Sequence, residues 1–175
     1  MKKIFLTVLL LVVTIVILFL VINNKESKMK ITSEIFENNG RIPAEYTCNG
    51  GGIQPPLKIS GVPESAKSLA LIVDDPDAPS GDFIHWLVWN IAPHTTSIEN
   101  GRVPGAVEGH TSLSKPGWVP PCPPLGTHRY YFKLYALDTE LVIPASFGKA
   151  DLLQAMTGHV LEQATLLGLY GKDVI

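Results

Sequence analysis

Two short segments hold most of the side chains able to do chemistry. In Ser68–Trp86 (SLALIVDDPDAPSGDFIHW) an apolar run enters Asp74-Asp75, turns a corner containing Pro76 and Pro79, and resumes as a run carrying His85. Proline fixes φ and removes a backbone donor, so this corner is stiff and Asp75 is held rather than mobile. In Pro120–Leu137 (PPCPPLGTHRYYFKLYAL) four prolines surround Cys122, Gly126 permits a tight turn, and a strand begins at His128. Alternation along that strand puts His128 and Tyr130 on one face, with Arg129 and Tyr131 on the other.

Each histidine follows a proline-rich corner at the start of a strand, so both can meet at one end of a β-structure. With Tyr130 they offer imidazole and phenol groups, and Asp75 can orient an imidazole. Such a cluster holds a phosphate-like anion without a basic surface. Taken singly, these features are commonplace. A DPD run is usually a turn with Asx hydrogen bonds, and a lone strand-start histidine is usually structural, which is how His94, His110 and His159 are read. The two matched corners are what move His85 and His128 out of that class.

The elements that position these residues are short. Fourteen prolines and 15 glycines divide the chain into runs rich in β-branched and aromatic residues. Strands are predicted at Lys30–Phe36, Leu57–Ser60, Ser68–Asp74, Phe83–Ile91 and His128–Leu137. Within Phe83–Ile91, strict alternation places Phe83, His85, Leu87, Trp89 and Ile91 on one face. Thr95–Pro124 reads as one long loop, a type of segment that often carries function. Lys149–Met156 shows helical spacing, with Leu152, Leu153 and Met156 on one face. The stretch Val160–Tyr170 either extends that helix or forms a last strand, favoured over Ala164–Tyr170. The pattern as a whole predicts a mainly β domain, an antiparallel β-sandwich with one short helix towards the C-terminus.

Ahead of this domain (29–175), residues 1–28 read as a membrane-anchoring or export segment with a short linker. Ile4–Ile22 is a run of 19 residues interrupted only by Thr7 and Thr14 and preceded by Lys2 and Lys3. That length can span a bilayer as a helix. No alanine occurs before Ala44, which favours an uncleaved anchor over a cleaved signal. The short basic start favours export of the domain. A secreted protein with its signal removed is the alternative.

The leader contains four of the 14 Lys and Arg and one of the 16 Asp and Glu, leaving 29–175 with 10 basic and 15 acidic side chains, a formal charge of −5. A general nucleic-acid binder needs a basic face, so nucleic acid is not an expected partner. Cys48 and Cys122 can form one disulfide in an exported domain or stand as two free thiols.

Tyr46–Gly50 (YTCNG), Asp74–Pro79 (DDPDAP), His85-Trp86 and Cys122–Tyr130 (CPPLGTHRY) occur in an order that resembles the phosphatidylethanolamine-binding protein family, in its bacterial, Raf-kinase-inhibitor-like branch. The resemblance covers about Met29 to Lys172. It implies a β-sandwich with a small pocket for phosphate-type head groups, formed here by Asp75, Pro79, His85, Pro123, His128 and Tyr130. It also implies a cis bond at Ala78–Pro79, no cofactor, a homodimer, and a kinase or protease as a protein partner. One departure stands out: where such relatives read Gly-Pro-Cys-Pro-Pro, this chain has Pro120 in place of the glycine, which removes an N–H from the pocket lip.

Three functions follow. The favoured one is a non-catalytic binding protein for a phosphate-bearing small molecule, a phospholipid head group or an acidic peptide group. The second is a hydrolase using Asp75, His85 and His128 as metal ligands, or Cys122 with His128 as nucleophile and base. The third is a tethered interaction protein with a vestigial pocket.

Overall fold

The computed structural model describes residues 29–99, 101 and 103–171. The expected anchor at 4–22 lies outside them. No helix among the described residues is long and apolar enough to cross a membrane.

The apolar runs form the expected strands around a central one, β4 (Ser68–Asp75), which is buried along its whole length. The chain order is β1 (Lys30–Thr32), β2 (Gly40–Arg41), β3 (Leu57–Ser60), β4, β5 (Phe83–Ile91), β6 (Ser97–Ile98), β7 (Val107–Glu108), β8 (Thr127–Leu137), helix α1 (Lys149–Met156) and β9 (Val160–Gly171). A six-stranded sheet runs β2-β9-β8-β4-β5-β7, and a three-stranded sheet β1-β3-β6 covers one of its faces. Ile31, Leu57, Ile59 and Ile98 from the small sheet pack on Leu71, Val73, Trp86, Phe132 and Leu134 from the large one. On the opposite face, Leu152 and Met156 of α1 cover Ile72, Leu87 and Trp89.

Several expectations change. The pairing is not wholly antiparallel: β2 runs parallel to β9, with Gly40 opposite Gly168 and Arg41 opposite Leu169. Gly168 makes that contact available, because a Cβ there would lie 2.6 Å from Ile42 Cγ1. β1 stops at Thr32 rather than Phe36, and Ser33 turns away to donate its hydroxyl to the Pro56 carbonyl at 2.6 Å. The long loop contains β6 and β7. The last strand is longer than expected, because β8 pairs along nearly all of it, from Thr127 opposite Gly171 to Leu137 opposite Val160. In α1, Leu152 and Met156 are buried one turn apart, whereas Leu153 is 40% exposed.

The face reading of β5 is also corrected. Val73 pairs with Trp86 but Asp74 pairs with Ile84, so His85 is an extra residue in the ladder. A second irregularity lies between Val88 and Ile91, where Asn90 has a φ of 57°. Each extra residue reverses the alternation that follows. Trp86, Val88 and Ile91 therefore face the small sheet, while Ile84, Leu87 and Trp89 face α1.

Candidate functional site

β4 ends at Asp75, and the proline corner that follows is tied down at several points. Asp75 Oδ1 accepts the Asp77 N–H at 2.8 Å, and Ala78 O accepts the Gly81 N–H at 2.9 Å. Arg129 of β8 grips Asp77 with three bonds: its backbone N–H (2.9 Å) and Nε (2.8 Å) donate to Oδ2, and Nη2 donates to Oδ1 (2.7 Å). The guanidinium holds the Asp77 carboxyl down at about 2. The Ala78–Pro79 bond is trans, since the described residues contain no cis peptide, correcting the expectation drawn from the resemblance. The trans isomer is the intrinsically preferred one for an X–Pro bond, and the corner closes with it.

The bulge sets His85. Its carbonyl accepts the Val119 N–H at 2.9 Å, and its Nδ1 lies 2.7 Å from the Val119 carbonyl. A carbonyl only accepts, so Nδ1 is the protonated nitrogen and Nε2 is the one left over. The ring is wedged among Phe83 (4.8 Å between centroids), Tyr130 (5.2 Å, edge-on) and Trp118 (6.3 Å). Burial pushes the His85 imidazole below its ordinary 6.5, against the Val119 bond and the charges of Asp75 and Asp74.

From β8, His128 presents Nδ1 to Asp75 Oδ2 at 2.7 Å, both side chains being buried. Tyr130, two residues on, is 1% exposed, and burial together with the charge of Asp75 raises its phenol well above the ordinary range.

These groups border one cavity of about 230 Å³. All six residues predicted from sequence line it: Asp75, Pro79, His85, Pro123, His128 and Tyr130. Pro120 lines it too, and no Lys or Arg does. His85 Nε2 and Tyr130 Oη are buried with no hydrogen-bond partner, as is Trp118 Nε1 nearby. Leaving one such atom unpaired costs about 1–3 kcal/mol, so two in side chains lining a single cavity call for an explanation.

Cys48 and Cys122 form a disulfide, resolving the alternative left open by sequence. It fastens the loop after the 3₁₀ turn Ala44–Tyr46 to the proline lip, where the Cys48 N–H also donates to Pro121 O at 3.0 Å. Both cysteines are exposed at the rim. Among the described residues no thiol is free, and no three His, Cys, Asp or Glu side chains converge as a metal-ligand set.

Sequence reasoning missed Phe83 as lining, Trp118 as a wall behind His85, and the Asp77–Arg129 clamp. Alternation along β8 had placed Arg129 on the far face, and an acid in the turn one strand away was the available signal for its partner. Asp74, adjacent to Asp75, points to the other side of the sheet. There its Oδ2 takes the ammonium groups of Lys133 and Lys149, and Lys149 also reaches Asp82. Burial opposes the charge on Lys149, but the bonds to the two carboxylates outweigh it and raise its affinity for its proton.

The chain matches the family model for phosphatidylethanolamine-binding protein over residues 32–171. It is 51% identical over 150 residues to a UPF0098 protein of Methanothermobacter thermautotrophicus, covering 82% of this chain and 99% of that one. A crystal structure of a phosphatidylethanolamine-binding protein homologue from Chlamydia trachomatis superposes with a TM-score of 0.81 at 44% identity, covering 85% of this chain and all of the other. The crystal structure of E. coli YbcL, described as a member of the mammalian PEBP family, gives a TM-score of 0.75 at 31% identity, with 83% and 99% coverage.

Proposed function

The chain belongs to the phosphatidylethanolamine-binding protein family, and from that premise we propose that it is a non-catalytic binding protein whose cavity receives a phosphate-type anion. The observation that carries this reading is the pair of buried, unpartnered polar atoms, His85 Nε2 and Tyr130 Oη, in two side chains that line one cavity. His128, oriented by Asp75, stands on the same wall, and Pro79 and Pro123 give the cavity stiff sides. The volume suits a phosphate group with a few attached atoms, as a free small molecule or a phospholipid head group.

The thiol-hydrolase reading draws less support, because the Cys122 sulfur is bonded to Cys48. The metal-hydrolase reading lacks a convergent ligand set among the described residues. The vestigial-pocket reading rested on Pro120, which borders the cavity without closing it. Tethering through residues 4–22, export of the domain, a kinase or protease partner and a homodimer belong to the proposal by resemblance and sequence alone.

The test is a titration with inorganic phosphate while following the imidazole resonances of His85 and His128. Both should shift along one saturation curve with a Kd of about 1 mM or tighter, equivalent to about −4 kcal/mol. Unmoved resonances at both histidines would overturn the proposal.

A further inference from the structure

The cavity is furnished unusually for an anion site. Its lining holds neither Lys nor Arg, and it includes a carboxylate, Asp75. Both histidines spend their Nδ1–H inside the protein, His85 on the Val119 carbonyl at 2.7 Å and His128 on Asp75 Oδ2 at 2.7 Å. What each ring leaves for a ligand is Nε2, which donates only when the ring carries a second proton and is otherwise a bare lone pair.

At His85 that lone pair is buried and unpartnered. The titratable groups around the ring are Asp75 and Asp74 from β4 and His128 and Tyr130 from β8. The segment packed against the ring from Trp118 to Val119 supplies only the carbonyl and the indole. A fully deprotonated oxyanion facing this nitrogen would set two acceptors against each other at a buried position. A proton between them turns that repulsion into a charge-assisted hydrogen bond.

We infer that the cavity takes its anion together with one proton, held between His85 Nε2 and a ligand oxygen, so that it selects phosphate and phosphomonoesters over sulfate and phosphodiesters. The inference rests on the anion-binding reading above and narrows it. Hydrogen phosphate brings the proton itself. A phosphomonoester, whose second pKa is about 6, enters as its dianion at higher pH and takes one proton from solvent. The complex has the same composition whether that proton is drawn on oxygen or on Nε2. Sulfate and diesters carry no such proton, so they bind only by charging a buried ring. Within this reading His85 determines specificity, and intact diester head groups are disfavoured against monoesters.

The experiment is calorimetry on the full chain with methyl phosphate, dimethyl phosphate, inorganic phosphate and sulfate. Methyl phosphate at about pH 8, measured in two buffers of different ionisation enthalpy, should take up about one proton. Its affinity should then fall by about tenfold for each pH unit above that. Dimethyl phosphate and sulfate should each bind at least about tenfold more weakly than inorganic phosphate. His85→Gln, which puts an amide donor in place of the lone pair, should abolish the proton uptake and narrow the gap with sulfate. Equal binding of phosphate, sulfate and the diester, or binding of methyl phosphate without proton uptake, overturns the inference and leaves the anion-binding reading standing. Failure of all four to bind overturns both. The comparison among ligands on the unmodified protein decides the matter even if the variant does not fold.

Discussion

Removing the Cys48–Cys122 bridge, as the Cys48→Ser/Cys122→Ser double variant, should destabilise the domain heavily while leaving its cavity formed. The two residues are 74 positions apart. Closing a loop of that length in the unfolded chain removes about 15 cal/mol/K of entropy, or about 4.5 kcal/mol at 25 °C. A domain of this size has a total stability of roughly 5–15 kcal/mol, so the bridge supplies a large share. With a urea slope of about 2 kcal/mol/M, the unfolding midpoint should fall by about 2 M with the bridge removed. The effect acts on the unfolded chain, so the native lip should survive. The Cys48 N–H still meets Pro121 O at 3.0 Å, and the Pro120 ring still lies against Gly52, where a Cβ would be 3.4 Å from Pro120 Cγ. Phosphate affinity in the variant should therefore stay within a few-fold of the parent. A midpoint unchanged to within about 0.5 M at the same slope would refute the loop-entropy reasoning. A lowered midpoint accompanied by complete loss of phosphate binding would refute the claim that the lip is held by packing.

Asp75→Asn keeps an acceptor for the Asp77 N–H but turns the edge facing His128 Nδ1 into an amide donor, so His128 must take its other tautomer and the charge-assisted bond is lost. Chemical denaturation should register a loss of about 1–3 kcal/mol. Tyr130→Phe removes a buried hydroxyl with no partner, so the ligand-free protein should be as stable as the parent or up to about 1 kcal/mol more stable, while calorimetry should show phosphate affinity lower by about tenfold. Burial holds His85 below its ordinary 6.5, so as pH falls the unfolded chain takes up that proton first. The contribution to stability is complete above about pH 6.5 and is lost progressively below it. The urea midpoint of the ligand-free protein should drop between about pH 7 and pH 5.5, with a shallower slope over that window in His85→Gln.

The parts of the fold legible in sequence were those whose signal is local. Leu57–Ser60 and Phe83–Ile91 were bounded by turn residues and filled with β-branched or aromatic side chains, and Lys149–Met156 carried the helical period. The two-residue strands β2, β6 and β7 are too short to have a period and exist only because a longer neighbour offers its edge. The first half of β9 is largely exposed, so its sequence lacks the alternation that would mark it, and pairing with β8 defines it instead. Asp75, His85, His128 and Tyr130 were recoverable because proline corners and strand starts mark ends of elements, and ends are where the walls meet, whereas Pro79 and Pro123 came from the family resemblance. What failed was register. Alternation assumed a regular β5, and two irregularities broke it. The Asp77–Arg129 clamp was missed and the Cys48–Cys122 disulfide stayed one of two alternatives for a related reason, since each joins positions more than 50 apart and spacing alone carries no distance.

The bulge at His85 has a consequence for how such a cavity can arise and be lost. The imidazole reaches the cavity by a count of residues: β5 has one more between Ile84 and Trp86 than the ladder with β4 requires. Substitution at 85 can empty the site in one step while leaving that address intact. The reverse does not hold, because a histidine placed in a regular strand at this level would share its face with Ile84's neighbours under α1 or displace Trp86 from the core. Gaining the site takes an insertion first and a histidine second. Strand length, which a comparison of residue identities overlooks, is then the heritable trace of the cavity, and deleting one residue here should be harder to reverse than any replacement of His85 itself.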